Sequence, residues 1–438
     1  MDKNLLEDVA KKLKGLGVDY ADISVAENFT MSVRTRMAKQ EEAIQANTVG
    51  INIRAFCGKK NAVVTTDNIS NLQDKNFLEK IATIAKNSPE YDENPLPSFE
   101  NFPKSLKKID IMDSVEVSVD TLLQDATECE NLILQSDGIT NSEGAEISYD
   151  HSKVTLMKDH DFFGEYEKTI FGFSVAPLAE KNGELQQGYA TSSAIYYEDL
   201  KTPTQLAKKA VKDTVSRLGS RKVKTCKVPV IFDHEISNAL LMNLLRAMDG
   251  AEVSKGTTFL ADKLSKKIFS DEVCINDRVA LDRGLRSRPF DADGIFVEKT
   301  SLIKNGAINS FLLNTKYANK LKMKSTGNAS GFSAITPNNV CMENGKESVE
   351  NLIKNIKGGL LVTGLLGDGF SAVTGNYSQG ATGFWIENGE VAYPVHEITL
   401  AGNFSDMFAN VVVANDLEIR TGVDAPSLYF DQMTVGGI

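Results

Sequence analysis

Histidine is the scarcest chemistry-bearing residue in this chain: His151, His160, His234 and His396 are the full complement among 438 residues. No two of them stand at the one-turn spacing that lets paired imidazoles on a helix converge on one ion. Cysteine is almost as sparse. Cys57, Cys129, Cys226, Cys274 and Cys341 are scattered, odd in number and without a CxxC pair. That excludes ribbon-type zinc sites and thioredoxin-like redox motifs, and suits reduced thiols in a cytoplasmic protein. No apolar run approaches the roughly 20 residues of a membrane-spanning helix. The opening Met1-Asp2-Lys3-Asn4-Leu5-Leu6-Glu7-Asp8 is acidic and amphipathic, unlike a secretory signal. Basic residues are outnumbered, 48 against 59, for a net charge of −11. That sign repels phosphate backbones and anionic lipid, so neither nucleic acid nor membrane is expected as a partner.

What is present reads as an ordinary globular chain, 42% hydrophobic and 24% charged, long enough for about two to three domains. Leu5, Leu6, Val9, Leu13 and Leu16 recur at helical spacing, and Gly15 and Gly17 end that helix. The period then changes to two: Ala21, Ile23 and Val25, then Phe29, Met31 and Val33, then Ile51, Ile53 and Ala55 alternate with polar residues. Such strands predict an antiparallel sheet with one face under helices and the other wet. Further helices are expected over about 70–87, about 114–135 and around Leu206–Leu218. Pro89, Pro95, Pro97 and Pro103 mark a long connection over about 88–108.

The polar stretch Arg217–Lys227, read as a solvated connection, places a boundary before the strand Val228–Phe232. The division is an N-terminal α+β domain over 1–225 and a β-rich domain over 226–438. Asn-Gly pairs at 182–183, 305–306 and 388–389 sit between strand-like runs and predict hairpins, because both residues tolerate positive φ. The fold class is therefore α+β, with a mainly antiparallel, barrel-like C-terminal domain holding a few helices.

No local motif completes a catalytic site. His234-Glu235 begins like a zincin helix, but Asn238 and Ala239 stand where a second imidazole is needed. Asp233 as helix cap and Glu235 at the positive helix end explain the pair. His151 and His160, near Asp150, Asp159 and Asp161, read as polar turns, and His396-Glu397 as sheet surface. Gly369-Phe370-Ser371-Ala372-Val373 and Gly331-Phe332-Ser333-Ala334-Ile335 lack the closing glycine of a nucleophile elbow. Gly364–Gly369 has no Walker lysine and reads as tight turns. Asp291-Ala292-Asp293-Gly294 has its glycine in the wrong place for a calcium loop, and Leu302 stands where a glutamate would close it.

Longer stretches carry a resemblance. Val228–Phe232 with the leucine-rich helix after it, Gly256-Thr257-Thr258-Phe259-Leu260 and Gly284-Leu285-Arg286-Ser287-Arg288-Pro289-Phe290-Asp291-Ala292-Asp293-Gly294 are similar to the TldD/PmbA family of metallopeptidase-related proteins. So are Val373–Gly389, Tyr393-Pro394-Val395, Ile398–Asn403 and Met433–Gly437. In the TldD branch a helix carries HExxxH, which with a downstream cysteine implies a zinc peptidase site. Anchored on Gly256-Thr257-Thr258, Leu241 and Met242 fall at the His-Glu positions and Arg246 at the second His. Arg420–Pro426 runs through without a cysteine. Leucine cannot ligate zinc, methionine cannot act as a general base, and a guanidinium repels a cation.

Those departures match the PmbA (TldE) branch and carry over no catalytic residue and no cofactor. Zinc is expected in the partner. The resemblance implies a non-catalytic subunit that pairs with a TldD-like metallopeptidase and helps admit unfolded or extended peptides for proteolysis or maturation. Two alternatives stay open: a peptidase in its own right, as a homodimer with an unrecognised site, and a regulatory protein of the DNA-gyrase-modulator type.

Overall fold

The structure, a computed structural model, describes residues 1–90, 96, 99–159, 162–331 and 334–438. His160, Asp161, Phe332, Ser333, Pro95 and Pro97, all singled out above, lie outside the described residues.

The N-terminal part is one antiparallel sheet. Its strands are β1 (Tyr20–Arg36), β2 (Lys39–Cys57), β3 (Lys60–Thr66), β4 (Ile139–Lys158), β5 (Phe162–Lys181), β6 (Glu184–Gln187) and β7 (Ala190–Ala194). The order is β3-β2-β1-β4-β5-β6, with β7 also on β5. The two alternating runs expected at 21–25 and 29–33 are halves of one strand, β1. Its odd-numbered residues face helices throughout. Ala21, Ile23 and Val25 pack on α1 (Lys3–Gly15) and α2 (Lys75–Asn87). Met31 and Val33 pack on α3 (Val119–Leu134) and α4 (Pro203–Val215).

Caps set the helix starts more tightly than periodicity did. Asp74 accepts from the Asn76 amide, so α2 begins at 75 behind a short 3-10 turn. Ser118 caps α3, and a Thr202/Gln205 capping box with Pro203 opens α4. The last of these helices stops at Val215, short of Leu218.

The other face of this sheet is polar, but it is not wet throughout. Asp22 sits directly opposite Arg54 on β2 and Lys158 on β4, and none of the three is more than 6% exposed. The loop carrying Asp291-Ala292-Asp293-Gly294 covers them. Phe290 of that loop packs edge-on against Phe162 and Tyr166 of β5, 5.2 Å between ring centroids in each case. Single-strand alternation cannot reveal that a polar face will be sealed by a segment more than a hundred residues away.

The β1–β2 hairpin turns through Met37 (φ 52°) and Ala38 (φ 54°). Neither is a glycine, and the left-handed region costs an ordinary residue about 1–2 kcal/mol. The offset comes from Glu130 on α3, fully buried, whose two carboxylate oxygens accept from the Met37 and Ala38 amides at 2.9 Å each. Replacing Met37-Ala38 by Asn-Gly, which tolerates this turn without strain, is expected to raise stability by about 1–2 kcal/mol. Urea unfolding of the two proteins checks it.

The C-terminal part is built on a closed five-stranded barrel: β8 (Cys226–Phe232), β13 (Gly358–Leu366), β14 (Asn376–Glu387), β15 (Glu390–Asn403) and β18 (Leu428–Gly436). The strands run β15-β14-β13-β8-β18, and β18 closes back on β15 through Thr399–Ala401. Every pairing is antiparallel except β8 with β13. The strand β16 (Val412–Val413) adds to β18. A second sheet orders β11 (Ala307–Ile308), β10 (Lys299–Lys304), β9 (Ile275–Arg278), β12 (Asn339–Met342) and β17 (Val423–Asp424).

Helices α5 (His234–Ala247), α6 (Gly250–Lys255), α7 (Thr315–Leu321), α8 (Val349–Lys354) and α9 (Phe404–Ala409) join these strands. Val230 and Phe232 of β8 enter the main core, while Ile231 between them packs on the Leu352/Ile356 side. That is the two-residue period of a strand covered on both faces. The hairpins expected at the Asn-Gly pairs 182–183, 305–306 and 388–389 are present, each with both residues at positive φ. Arg217–Lys227 is not a free connection: Arg221 bridges to Val395, and its guanidinium lies 4.6 Å from the Tyr393 ring centroid. No helix among the described residues is long and apolar enough to cross a membrane.

Candidate functional site

The leucine-rich helix α5 follows directly from the first barrel strand, and Asp233 starts it by accepting from the Glu235 amide at 2.8 Å. Leu240, Leu241, Leu244 and Leu245 are buried in one core with Phe232, Leu360, Tyr377 and Leu400 of the barrel. Met242 is partly buried against the same core. Arg246 emerges on the other side, half exposed.

Positions 241 and 246 are five apart, which on a regular α-helix separates them by about 140° around the axis. The helix is regular over its whole length, so one side chain points into the core and the other to the surface. These two side chains do not converge.

Arg246 is committed elsewhere. Its Nη1 donates to Asp368 at 3.1 Å and to Asn243 Oδ1 at 3.3 Å, and its guanidinium lies 6.0 Å from the Phe370 ring centroid. Asp368 sits on a fixed turn. Gly367 has φ +72°, and a Cβ on Gly369 would meet the Ser378 carbonyl oxygen at 1.8 Å. The Phe370 backbone amide, then Arg246, hold the Asp368 carboxyl below its ordinary range. With both side chains at least half exposed, this bridge contributes at most about 1 kcal/mol. Nothing in the helix sequence pointed to Asp368, which lies 122 residues further on.

The segment 420–426, which lacks the downstream cysteine, packs along the start of the same helix. Ser237 donates to the Ala425 carbonyl at 2.9 Å, and Arg420 donates to the His234 carbonyl at 3.0 Å. Asp424, the one acid in the segment, is occupied: it accepts from the Thr421 and Gly422 amides at 3.0 Å each. Among the described residues, no group of three His, Cys, Asp or Glu side chains is placed to hold a metal ion. Tested against zinc, the residues at this position do not fit. A fully buried leucine has no donor atom, a thioether is a poor ligand for this cation, and the guanidinium carries the wrong charge.

The histidines found by sequence are placed as follows. His234 lies at the helix start between Asp233 (3.3 Å), Asp416 (3.4 Å) and Glu418 (3.5 Å). The hydrogen bond to Asp416 raises its pKa above the ordinary imidazole value. Asp416 in turn accepts from the Ser427 hydroxyl at 2.7 Å, and that hydroxyl accepts from the His234 amide at 2.9 Å. Glu235 points the other way, to Lys209 of α4 at 2.7 Å.

A histidine whose folded pKa is raised stabilises the fold below its unfolded pKa and loses that contribution as pH rises through the folded value. His234→Gln is therefore expected to lower stability more at about pH 5 than at about pH 9, read by denaturation at both. His151 is not in a turn: it lies within β4 and meets Glu167 at 3.0 Å. His396 is a half-buried residue of β15.

Comparison with known proteins gives the family of the chain. Residues 225–437 match the PmbA/TldA metallopeptidase C-terminal domain, and residues 113–218 the PmbA/TldA metallopeptidase central domain. The chain is 33% identical over 422 residues to the metalloprotease PmbA of Escherichia coli O157:H7, covering 96% of this chain and 92% of that protein. The crystal structure of TldE from Thermococcus kodakarensis superposes with a TM-score of 0.88 at 23% identity, over 99% of this chain and all of that one. That of a candidate modulator of DNA gyrase from Bacteroides thetaiotaomicron gives a TM-score of 0.90 at 24% identity, over 100% and 99% of the two chains.

Proposed function

The chain belongs to the PmbA family, and on that premise we propose that it is the non-catalytic subunit of a two-chain zinc metallopeptidase whose hydrolytic centre lies on a TldD-like partner. The observation that carries this reading is the chemistry of α5: Leu241 is spent on the core, Met242 packs beside it, and Arg246 is paired with Asp368 on the far side of the helix. No step of peptide hydrolysis can be assigned to those three side chains. Zinc bound by the partner would activate water and polarise the scissile carbonyl. This chain would contribute surface that encloses the site and restricts entry to unfolded or extended peptides. The setting is the cytoplasm, where thiols such as the scattered, unpaired cysteines stay reduced.

The test is peptidase activity of the purified chain alone, of the TldD-like chain alone, and of the two mixed, each before and after chelation. Chelator-sensitive hydrolysis that requires the partner, with no metal retained by this chain alone, is the expected result. Hydrolysis by this chain alone would replace the proposal with an independent, homodimeric peptidase. Retrieval of gyrase in place of a TldD-like chain from native lysate would favour the modulator reading.

A further inference from the structure

Two groups of charges lie where the polar face of the N-terminal sheet meets the C-terminal part, and only one is balanced. In the first, Asp22 and Asp293 meet Arg54 and Lys158, two acids on two bases. The second is Lys168 of β5 with Arg286 and Arg288. Lys168 donates to the carbonyls of Leu285 (2.6 Å) and Ser287 (3.5 Å), and Arg286 to those of Thr421 (3.4 Å) and Pro337 (3.5 Å). Arg288 donates to Asn338 Oδ1 and to the Ala329 and Gly327 carbonyls. Among the described residues no acid forms an ion pair with any of the three. Their charges act on one another: burial first, then Arg288 and Arg286, bring Lys168 down to about 8.

Beside Arg288 is a cavity of about 210 Å³, bounded by β1, β4 and β5 on one side and the 288–292 loop on the other. Its walls are mostly apolar, with Ala26, Val154, Leu156 and Phe290. Arg288 and Tyr166 also line it, and both have hydrogens to donate. A guanidinium has five N–H groups, and the three bonds of Arg288 leave one free on each terminal nitrogen. The Tyr166 hydroxyl has no partner among the described residues, and burial raises its pKa, so it remains a donor at neutral pH. Asp291 borders the cavity too, but its two oxygens are taken by the Asp293, Ile295 and Ala329 amides.

We propose that this cavity holds the C-terminal residue of a peptide, its carboxylate on Arg288 and Tyr166 and its apolar side chain against Val154, Leu156 and Phe290. A carboxylate accepts from both terminal nitrogens of a guanidinium and supplies the counter-charge that the three cations lack. An apolar wall with a few fixed donors is the ordinary make-up of a ligand site. The volume is below the roughly 300–1,000 Å³ of drug-sized pockets, which suits a single residue. The ammonium of a free amino acid would meet the same cations, so the guest is the end of a peptide. The inference rests on the peptide-handling role proposed above. Its test uses this chain alone, without partner, zinc or hydrolysis, so failure of binding leaves the subunit role standing, and hydrolysis by this chain alone leaves the binding site standing.

Calorimetry of the full chain with N-acetyl-leucine decides it. One site per chain is expected, with N-acetyl-leucinamide and free leucine each at least about tenfold weaker. Tyr166→Phe, which removes a single oxygen, should weaken N-acetyl-leucine by about tenfold. Ala26→Leu should fill the cavity and abolish binding, with unchanged denaturant unfolding showing that the fold is intact. Equal affinity for the acid and its amide overturns the proposal, as does no binding up to the solubility limit. Free leucine binding as tightly as N-acetyl-leucine also overturns it and assigns the cavity to amino acids. Binding of inorganic phosphate that matches N-acetyl-leucine, with Ala26→Leu without effect, overturns it in favour of a plain anion site.

Discussion

Asp22→Ala is expected to lower the stability of the chain by about 3–5 kcal/mol, the largest effect of any single charge removal here. Asp22 receives a bidentate pair from Arg54, Nε at 2.7 Å and Nη2 at 2.6 Å, and the Lys158 ammonium at 3.0 Å. Asp293 completes the group, 3.4 Å from Arg54 and 4.0 Å from Lys158. Two acids balance two bases in a site where Lys158 is wholly buried.

Removing one carboxylate leaves two cations to share the other, out of water. Burial alone would push the Asp22 carboxyl up, yet the Arg54 and Lys158 charges hold it below the ordinary range. Its contribution is therefore present above the unfolded carboxylate pKa and lost as pH falls through the lower folded value. The acid limb of the stability profile should flatten in Asp22→Ala. Because Asp293 also accepts from the Thr315 amide at 3.0 Å, exchange of the 291–295 amides should speed up as well. A loss below about 1 kcal/mol in denaturant unfolding would mean that water reaches the cluster and screens it.

Leu241→His is the second large effect, at about 2–5 kcal/mol of lost stability with no gain of metal affinity. The substitution puts an imidazole at the first position of the HExxxH register, so it reads as a step toward a zinc site. The structure assigns it the opposite outcome. Leu241 is fully buried among Leu240, Leu244 and the barrel side chains, where an imidazole gains no partner and leaves apolar surface unfilled. Adding Arg246→His does not help, since the 420–426 segment still supplies no cysteine, Leu241 faces the core while position 246 faces the surface, and the Asp368 pair is lost. Denaturation together with zinc titration of the single and double variants reads both halves. Tight stoichiometric zinc binding by the double variant would show that the helix can kink to bring 241 and 246 together.

The parts of this fold that could be read from sequence are those decided within a dozen residues. Alternation at 21–25 and 51–55, the Asn-Gly hairpins and the leucine stripe of α5 all have local causes, and the structure contains them. The turn at Met37-Ala38 was illegible because neither residue favours positive φ; a carboxylate 92 residues away makes it possible. Asp291-Ala292-Asp293-Gly294 was read as a calcium loop that fails, and its actual role is tertiary. Asp291 caps the amides of Asp293, Ile295 and Ala329, with its pKa pushed up to about 6 chiefly by burial. Asp293 shares with Asp22 the balancing of two buried cations. Of the three positions drawn from the resemblance, burial of Leu241 follows from the helical stripe, whereas the Arg246–Asp368 pair exists only once the barrel has formed.

The closure of that barrel has a kinetic corollary. Its first strand, Cys226–Phe232, is flanked by Gly358–Leu366 on one side and Leu428–Gly436 on the other, so it finds its partners only after well over a hundred further residues have left the ribosome. Contacts so distant along the chain close slowly. The apolar segments Val228–Phe232 and Leu240–Leu245 thus spend much of synthesis without their eventual covering, which is when a chaperone that shields nascent apolar segments would find this chain.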